Sequence, residues 1–201
     1  MRIFLVGASG RTGRLVVEKA LGSGHTVTAL VRDDRALAAV AGLKILKGNA
    51  LSSGELKFAI RDHDLVISVL GRRTKADGTL LQDAARAMLA ALPVAGVNRY
   101  IVVSQGLLFP SANPLIALLR LILATAIADS TAMERLVQAS EIQWTIVRPP
   151  RLKDGAGAHA YRACVGARPK GALSMQRGDL ASFLVDEAEQ SRYRRAIVGV
   201  G

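Results

Sequence analysis

Cysteine and histidine are scarce in this chain. Cys164 is the only cysteine among 201 residues, so no disulfide within the chain and no cluster of thiolate ligands can form. The three histidines, His25, His63 and His159, are far apart in the sequence and lack the spacing of metal ligands. The composition therefore predicts a protein without a metal site.

Long hydrophobic segments are also missing. The most apolar stretch, Leu115 to Ala128, has 14 residues with Arg120 inside it, which is too short to span a bilayer. We predict a buried or interface helix there, and leave open whether it continues through Met133 to Ala139. The chain starts directly with an apolar strand instead of a signal peptide, so we expect a cytoplasmic protein that has no membrane partner.

Acidic and aromatic residues are few. There are 16 Asp and Glu against 27 Lys and Arg, which gives a formal net charge of +11, and aromatics make up 4% of the chain. Such an excess of positive charge is typical of nucleic-acid binding when it is clustered. Here the basic residues are scattered and form no stripe with aromatic residues, so no nucleic acid is expected. An anionic cofactor and an anionic substrate explain part of the charge, and solvated surface explains the rest.

What the chain does contain is a glycine-rich turn in its first strand–helix–strand unit. The apolar run Ile3–Val6 leads into GASGRTG, a helical pattern follows, and a second apolar run occupies Thr26–Val31. In such units Gly7 permits the tight turn, Gly10 lets a pyrophosphate approach the backbone, and Gly13 lets the helix pack closely. The free N–H groups at the helix start favour phosphates. The turn predicts dinucleotide binding, and the alternative is a turn that only connects strand to helix.

Arg32 ends the second predicted strand, 19 residues after Gly13. An acidic residue usually binds the ribose 2′-hydroxyl at about this position. An arginine cannot accept a hydrogen bond from that hydroxyl, but its guanidinium suits a 2′-phosphate. Arg32 therefore predicts NADP(H) as the cofactor. The alternative is a solvated loop arginine, since Asp33 and Asp34 follow it directly.

Strand and helix patterns alternate along the whole chain. Further strands are predicted at 44–46, 64–70, 100–104, 144–147 and 196–198, helices at 53–60, 79–92 and 178–189, and an irregular segment at 155–171. This alternation predicts an α/β fold, a single Rossmann-type doubly wound parallel sheet with helices on both faces, in one domain over residues 1–201. Ligands of such sheets bind beyond the carboxyl ends of the strands. The rule selects the glycine turn and the segments 70–73, 104–106 and 148–151.

The whole pattern resembles the atypical short-chain dehydrogenases/reductases, and within them the flavin reductase/biliverdin-IXβ reductase group and the NmrA-like proteins. The resemblance covers nearly the whole chain and is carried by residues 7–13, 30–33, 48–50, 69–71, 103–108, 144–150 and 177–181. It implies that the turn holds the pyrophosphate of NADP(H), Arg32 the 2′-phosphate, and other segments the rest of the cofactor. The implied cofactor-binding residues are Gly7, Ser9, Gly10, Arg11, Thr12, Gly13, Arg32, Asn49 and Ala50 beside the adenine, Leu70 and Gly71 along the cofactor, Ser104 near the nicotinamide, and Pro149 and Pro150 around its pocket. Family members often carry aspartate where Asn49 stands.

The chain departs from this family at the catalytic pair. Typical family dehydrogenases carry Tyr-x-x-x-Lys on the helix after the serine, where the tyrosine protonates a carbonyl and the lysine lowers its pKa. Counted back from Glu134, these two positions fall on Ala126 and Ser130, which cannot do this chemistry. Tyr161 has Val165, and no lysine, four residues further on. Ordinary alcohol–ketone catalysis is therefore not expected.

Two main functions remain. The first is an NADPH-dependent reductase that transfers hydride to a flavin, quinone or similar conjugated small molecule, with Ser104 as the candidate catalytic residue. In that case the segment 107–109 is either an apolar wall for the acceptor or part of the core, and Arg72, Arg73 and Arg151 either attract anionic groups or are ordinary surface residues. The second is a non-catalytic NADP(H)-binding redox sensor of NmrA-like type, which the missing pair supports. An assembly factor that binds a nucleotide structurally is a third reading, and oligomeric state is not predicted.

Overall fold

The computed structural model describes residues 1–71 and 78–201. The strands are β1 Arg2–Val6, β2 Thr26–Val31, β3 Leu43–Lys47, β4 Leu65–Ser68, β5 Arg99–Val103, β6 Gln143–Arg148, β7 Arg151–Lys153, β8 Ala163–Val165, β9 Ser174–Gln176 and β10 Ala196–Val200. The helices are α1 Arg11–Gly22, α2 Ser53–Ala59, α3 Leu80–Ala95, α4 Pro114–Ile122, α5 Ala124–Gln138 and α6 Arg177–Gln190. Arg72 and Arg73, two of the candidate acceptor contacts, lie outside the described residues.

An eight-stranded sheet in the order β3-β2-β1-β4-β5-β6-β10-β8 forms the centre of the molecule. The chain winds outward from β1 to β3, returns to β4 beside β1, and then winds in the other direction. The strands pair in parallel except β8, which is antiparallel to β10 at one edge. This is the predicted doubly wound α/β fold, and its switch point lies between β1 and β4.

Both faces of the sheet are covered by helices. Alternate residues of β1 enter opposite cores: Ile3 and Leu5 pack with α1 and α6, whereas Phe4 and Val6 pack with α2, α3 and α5. A strand buried on both faces reads as a continuous apolar run, which is why β1 and β4 were recognisable in the sequence. The two layers leave the carboxyl ends of the strands as one open edge.

The predicted single helix at 115–128 is wrong, and so is the alternative that all of it is buried, whereas the alternative of an interface helix stays a prediction. The segment is two helices, α4 and α5, whose axes bend by 88° at their junction. No residue of α4 is buried, and Leu121 is 74% exposed. The two parts differ because α5 is anchored in the core: its Asp129 carboxylate accepts the N–H groups of Leu81 and Gln82 at 3.1 and 3.0 Å, which caps α3. Helix α4 contributes nothing comparable to the core.

The irregular segment predicted at 155–171 is also partly wrong, because it contains β8. Strands β7 and β9 form a small parallel sheet that was not predicted either. Strands of three residues are too short for a periodic pattern to show.

No single helix in the described part of the chain is long and apolar enough to cross a membrane, although α4 and α5 taken together meet the criteria of length and composition. Within residues 1–71 and 78–201, no group of three His, Cys, Asp or Glu side chains is arranged to hold a metal ion.

Candidate functional site

The glycine turn is shaped by two close backbone approaches. Gly7 has a φ of +87°, and a Cβ atom there would lie 2.9 Å from the carbonyl carbon of Val69. A Cβ atom on Gly13 would lie 2.2 Å from the Gly7 carbonyl oxygen. Gly10 differs, since its φ is −75° and the nearest atom to its Cβ position is the Gly7 carbonyl oxygen at 3.2 Å. The fold therefore needs glycine at positions 7 and 13, and requires it less strictly at position 10.

Helix α1 begins in this turn with unsatisfied donors. The first helical hydrogen bond runs from the Arg14 N–H to the Gly10 carbonyl oxygen at 3.0 Å, so the N–H groups of residues 11–13 have no partner inside the helix. No side chain caps this end and no acidic residue lies in the first turn. The result is an exposed, partly positive helix terminus at the carboxyl edge of the sheet, which suits a phosphate.

A cleft extends along this edge on both sides of the turn. Its first part, of about 220 Å³, lies over the ends of β1, β2 and β3, and its second part, of about 610 Å³, lies over the ends of β4, β5 and β6. The two parts share Ser9, Gly10, Val69, Leu70 and Gly71. Of the residues implied by the family resemblance, the first part also contains Gly7, Arg32, Asn49 and Ala50, and the second also contains Arg11, Thr12, Ser104, Pro149 and Pro150. Gly13 lies beneath the turn and lines neither part.

Arg32 stands at the outer end of the first part and is exposed. The neighbouring Asp33 is occupied by Arg35, whose backbone N–H and Nε it accepts at 3.1 and 3.4 Å. In the described ranges no carboxylate pairs with the Arg32 guanidinium. Arg14 ties the turn to the loop after β2 by donating to the carbonyl oxygens of Ser9 at 3.3 Å and Ala36 at 2.5 Å. This end of the cleft thus offers an unpaired positive charge.

The loop after β3 forms the opposite wall of the first part. The Asn49 side-chain oxygen accepts the N–H of Leu51 at 3.0 Å, and the Asn49 N–H donates to the Glu55 carboxylate at 3.1 Å. Ser52 caps α2 through the Glu55 N–H at 3.4 Å. Asn49 therefore shapes the loop that presents Ala50 to the cleft.

Ser104 is the only described residue of the second part whose side-chain polar atom is buried without a hydrogen-bond partner. Its N–H donates to the Val147 carbonyl oxygen at 2.7 Å, which continues the pairing of β5 with β6 and holds the residue in place. A buried hydroxyl without a partner is costly and calls for a ligand or water. The exposed helix terminus and this hydroxyl together fit an elongated ligand with phosphates in the middle and a polar ring at one end, as in a nicotinamide dinucleotide.

A buried ion pair positions the end of β6. The Glu134 carboxylate accepts Nε and Nη2 of Arg148 at 2.9 and 2.6 Å, and the two side chains are only 3% and 13% exposed. The Arg148 guanidinium also lies 4.7 Å from the centre of the Phe109 ring. This pair places Pro149 and Pro150 in the cleft. Sequence reasoning used Glu134 only as a marker, because nothing local shows that it meets Arg148.

A group of charged side chains borders the start of α1, on the other side of the second part of the cleft. Arg11 and Arg177 both pair with the exposed Asp154, at 3.2 and 2.7 Å. The Asp179 carboxylate accepts the backbone N–H groups of Ala158 and Ala160, in the loop between β7 and β8, at 2.8 and 3.2 Å. The segment 177–181, which is one of those that carry the family resemblance, therefore holds this loop beside the cleft.

Gln105 contacts the two positions, Ala126 and Ser130, at which the family resemblance predicts the catalytic pair. Its side-chain nitrogen donates to the Ala126 carbonyl oxygen at 3.0 Å and to the Ser130 hydroxyl at 2.7 Å. It thereby ties the loop after β5 to α5. The two positions expected for tyrosine and lysine serve here as anchors for Gln105.

Two of the three tyrosines, Tyr100 and Tyr161, are poor candidates for a replacement acid. Burial raises the pKa of Tyr100 to about 12, although a hydrogen bond with Ser68 lowers it. The pKa of Tyr161 is raised by burial first, and also by its hydrogen bond to the Asp186 carboxylate. Neither residue is among the described lining of the cleft. A phenol with a raised pKa and no access to the cleft is a poor proton donor there.

A third cavity, of about 430 Å³, continues from the second part of the cleft, and we call it the side pocket. It shares Gln105, Pro149 and Pro150 with the cleft. Its other lining residues are Gly106, Leu107, Ile116, Leu119, Leu123, Arg151, Arg168 and Leu173. The apolar segment 107–109 is divided, since Leu107 lines the side pocket whereas Phe109 is buried in the core. Arg120 links α4 to this segment by donating to the Leu107 carbonyl oxygen at 2.9 Å.

A larger hollow of about 1020 Å³ lies along β2, β3 and α2. It is wide open and does not include the glycine turn or Ser104. Because ligands of parallel sheets bind beyond the carboxyl ends of the strands, we do not place the functional site there.

Comparison with known proteins agrees with this geometry. A family model described as NAD(P)H-binding matches residues 7–191. An uncharacterized sugar epimerase of Bacillus subtilis (strain 168) is 33% identical over 172 residues, which are 81% of this chain and 78% of that protein. Several other curated relatives are much longer, and the matched regions span about a third of their length or less.

Two solved structures share the fold over the full chain. The anaerobillin reductase ChuY from Escherichia coli O157:H7 matches with a TM-score of 0.83 and 23% identity, covering 100% of this chain and 96% of that one. A Streptococcus pneumoniae TIGR4 protein with the provisional name NADH-flavin reductase matches with a TM-score of 0.79 and 22% identity, covering 100% and 98%. These likenesses confirm the predicted fold. Because this family model matches residues 7–191, from the glycine turn to the end of α6, the chain belongs to the NAD(P)H-binding family.

Proposed function

We propose that this protein is an NADPH-dependent reductase that transfers hydride to a conjugated acceptor such as a flavin or a quinone. The observation that carries the proposal is the continuity of the site. The cleft that fits a dinucleotide passes, at Gln105 and the two prolines, into a largely apolar side pocket. The names of the two structural neighbours, an anaerobillin reductase and an NADH-flavin reductase, support the same class of reaction.

In this proposal, each part of the cleft binds a different part of NADPH. The amides of the turn and of the α1 start bind the pyrophosphate, and Arg32 binds the 2′-phosphate. Ser104, Pro149 and Pro150 form the site for the nicotinamide. When bound, NADPH supplies the hydride. The remaining proposed contacts are Gly7, Ser9, Gly10, Arg11 and Thr12 in the turn, Asn49 and Ala50 at the adenine, and Leu70 and Gly71 between the two ends. Gly13 supports the turn from beneath.

A conjugated acceptor suits a site without a tyrosine acid. Such a ring accepts hydride at an electrophilic atom and takes its proton from solvent, so the protein contributes position and electrostatics. The Ser104 hydroxyl, which is buried and unpartnered within the described chain, is available to orient the nicotinamide or the acceptor. A serine with no neighbouring base is too weak an acid to replace a tuned tyrosine.

The proposal is tested by mixing the protein with NADPH and FMN, riboflavin or a quinone, and following absorbance at about 340 nm, where reduced nicotinamide absorbs. We expect NADPH oxidation that depends on both the protein and the acceptor. Binding of NADPH without oxidation by any of these acceptors would contradict the reductase and favour the sensor. Helix α4, whose Leu115, Leu118 and Ile122 are exposed, would then be the first place to look for a protein contact.

Replacing Ser104 by alanine is expected to lower turnover about tenfold, which is the effect of one ordinary hydrogen bond, and to leave NADPH affinity nearly unchanged. The fold should tolerate the change, because the hydroxyl has no partner in the described chain. Single-turnover hydride transfer and NADPH titration measure the two effects. Ser23→Ala, at an exposed serine at the far end of α1, is the control. A loss of several thousandfold would show that Ser104 is an indispensable acid, and no loss would remove it from the reaction.

A further inference from the structure

We propose that the side pocket takes acceptors that carry an anionic group, and that Arg168 is the residue that selects them. This inference rests on the proposed function, since it treats the side pocket as the acceptor site. It is more specific, because it assigns the selection of an anionic acceptor to one pocket and to a residue that sequence analysis did not identify.

Arg168 is held against the wall of the side pocket by a rigid contact. Its Nη2 donates to the Gly106 carbonyl oxygen at 3.0 Å. Gly106 is itself fixed, since its N–H donates to the Pro149 carbonyl oxygen at 2.7 Å and a Cβ atom would lie 2.7 Å from that same oxygen. The guanidinium is therefore positioned by backbone where the side pocket meets the cleft.

One nitrogen of the Arg168 guanidinium, Nε, is buried and has no hydrogen-bond partner in the described residues, none of which offers the side chain a carboxylate. The other well-shielded arginines that form ion pairs in the described ranges are Arg148 with Glu134 and Arg99 with Glu187, each at 2.6 Å, and Arg177 with Asp154 at 2.7 Å. Arg120, also close to the side pocket, uses its donors on the backbone oxygens of Leu107 and Phe109. Arg168 thus stands out as a shielded guanidinium that lacks an anion.

The rest of the side pocket defines the other end of the acceptor. Leu107, Ile116, Leu119, Leu123 and Leu173 supply its apolar surface. A mainly apolar pocket with a partly buried guanidinium in its wall is suited to a ring system that bears a carboxylate or a phosphate. Arg151 also lines the side pocket but is exposed, so solvent screens its charge. Selection by charge is therefore assigned to Arg168.

The test uses the matched probes 2-naphthoate and 2-naphthamide, which have the same ring and differ in charge. Their binding to the protein saturated with NADP⁺ is measured by calorimetry. We expect the carboxylate to bind at least about tenfold more tightly than the amide, as one charge-assisted hydrogen bond allows. In Arg168→Gln this preference should fall to about twofold or less while 2-naphthamide affinity is retained.

Lys170→Gln is the matched control, because it removes the same charge from an exposed neighbour that does not line the side pocket. It should keep the preference. If Arg168→Gln does not fold, Arg168→Lys keeps the charge but loses the planar fork, and should lose part of the preference. Adding 2-naphthyl phosphate distinguishes the two anions, since tighter binding than 2-naphthoate assigns a phosphate and weaker binding a carboxylate.

Three results would overturn the proposal: equal affinity of the two probes in the wild type, an unchanged preference in Arg168→Gln, or an equal loss in Lys170→Gln. Failure of both probes to bind would overturn it as well. The measurement needs no turnover, so it is separate from the test of the reductase. Active flavin reduction without a charge preference refutes the role of Arg168 alone, whereas a charge preference without oxidation of NADPH refutes the reductase alone.

Discussion

Replacement of Gly10 by valine is expected to abolish NADPH binding while the fold survives. Gly10 is the residue before α1, and its extended backbone (φ −75°, ψ 167°) suits any L-residue. A Cβ atom there is only tight against one carbonyl oxygen, at 3.2 Å, so a shift of a few tenths of an ångström accommodates it. Because Gly10 lines both parts of the cleft, the valine side chain would occupy the place where the pyrophosphate should cross the turn.

The measurement is thermal unfolding with and without NADPH. Ligand at about 100 times its Kd stabilises a folded protein by about 2.7 kcal/mol, and Gly10→Val should lose this gain while melting near the wild type without ligand. Gly22→Val places the same side chain at the other end of α1, where nothing lies within 4 Å of the added Cβ, and should keep the gain. Gly13→Val should unfold the protein, since its Cβ would lie 2.2 Å from the Gly7 oxygen. A normal shift with NADPH in Gly10→Val would mean that the turn only connects strand to helix.

Replacement of Arg32 by alanine is expected to weaken NADPH binding by about 1.5–3 kcal/mol, or roughly 10- to 150-fold, and to leave NADH binding almost unchanged. The structure removes one objection to this assignment, since Asp33 is engaged by Arg35 and does not neutralise Arg32. An arginine in the first part of the cleft that has no carboxylate partner in the described ranges is suited to a 2′-phosphate.

Titration of both cofactors against the wild type and Arg32→Ala measures the effect. Lys47→Ala is the control, because it removes one positive charge from an exposed residue at the end of the neighbouring strand β3 that does not line the cleft and leaves the Asp33–Arg35 pair intact. Equal affinities of wild-type protein for NADPH and NADH would refute the assignment. So would an equal loss in the two variants, since it would show that general positive charge, and not the Arg32 guanidinium, attracts the phosphate.

The fold was largely predictable because its signals are local. Strands covered on both faces read as apolar runs, and glycines mark the places where backbones meet. The break between α4 and α5 was not predictable in this way. An apolar stretch has the same composition whether it is buried or exposed, and only the packing of α5 against α3 and the sheet divides it from α4.

By itself, then, the sequence determined the α/β class, the position of the turn and the arginine at the end of β2. The roles assigned to these residues, the extent of the single domain and the cellular location stay predictions. Only the tertiary structure decided how the site is supported: that Glu134 holds Arg148, that Gln105 anchors on Ser130, and that Arg168 reaches Gly106 from 62 residues away. The physical reason is the separation along the sequence of the residues that interact. A turn or a buried strand is specified by neighbouring residues, whereas an ion pair or a pocket wall is made by side chains that come together only when the sheet has formed.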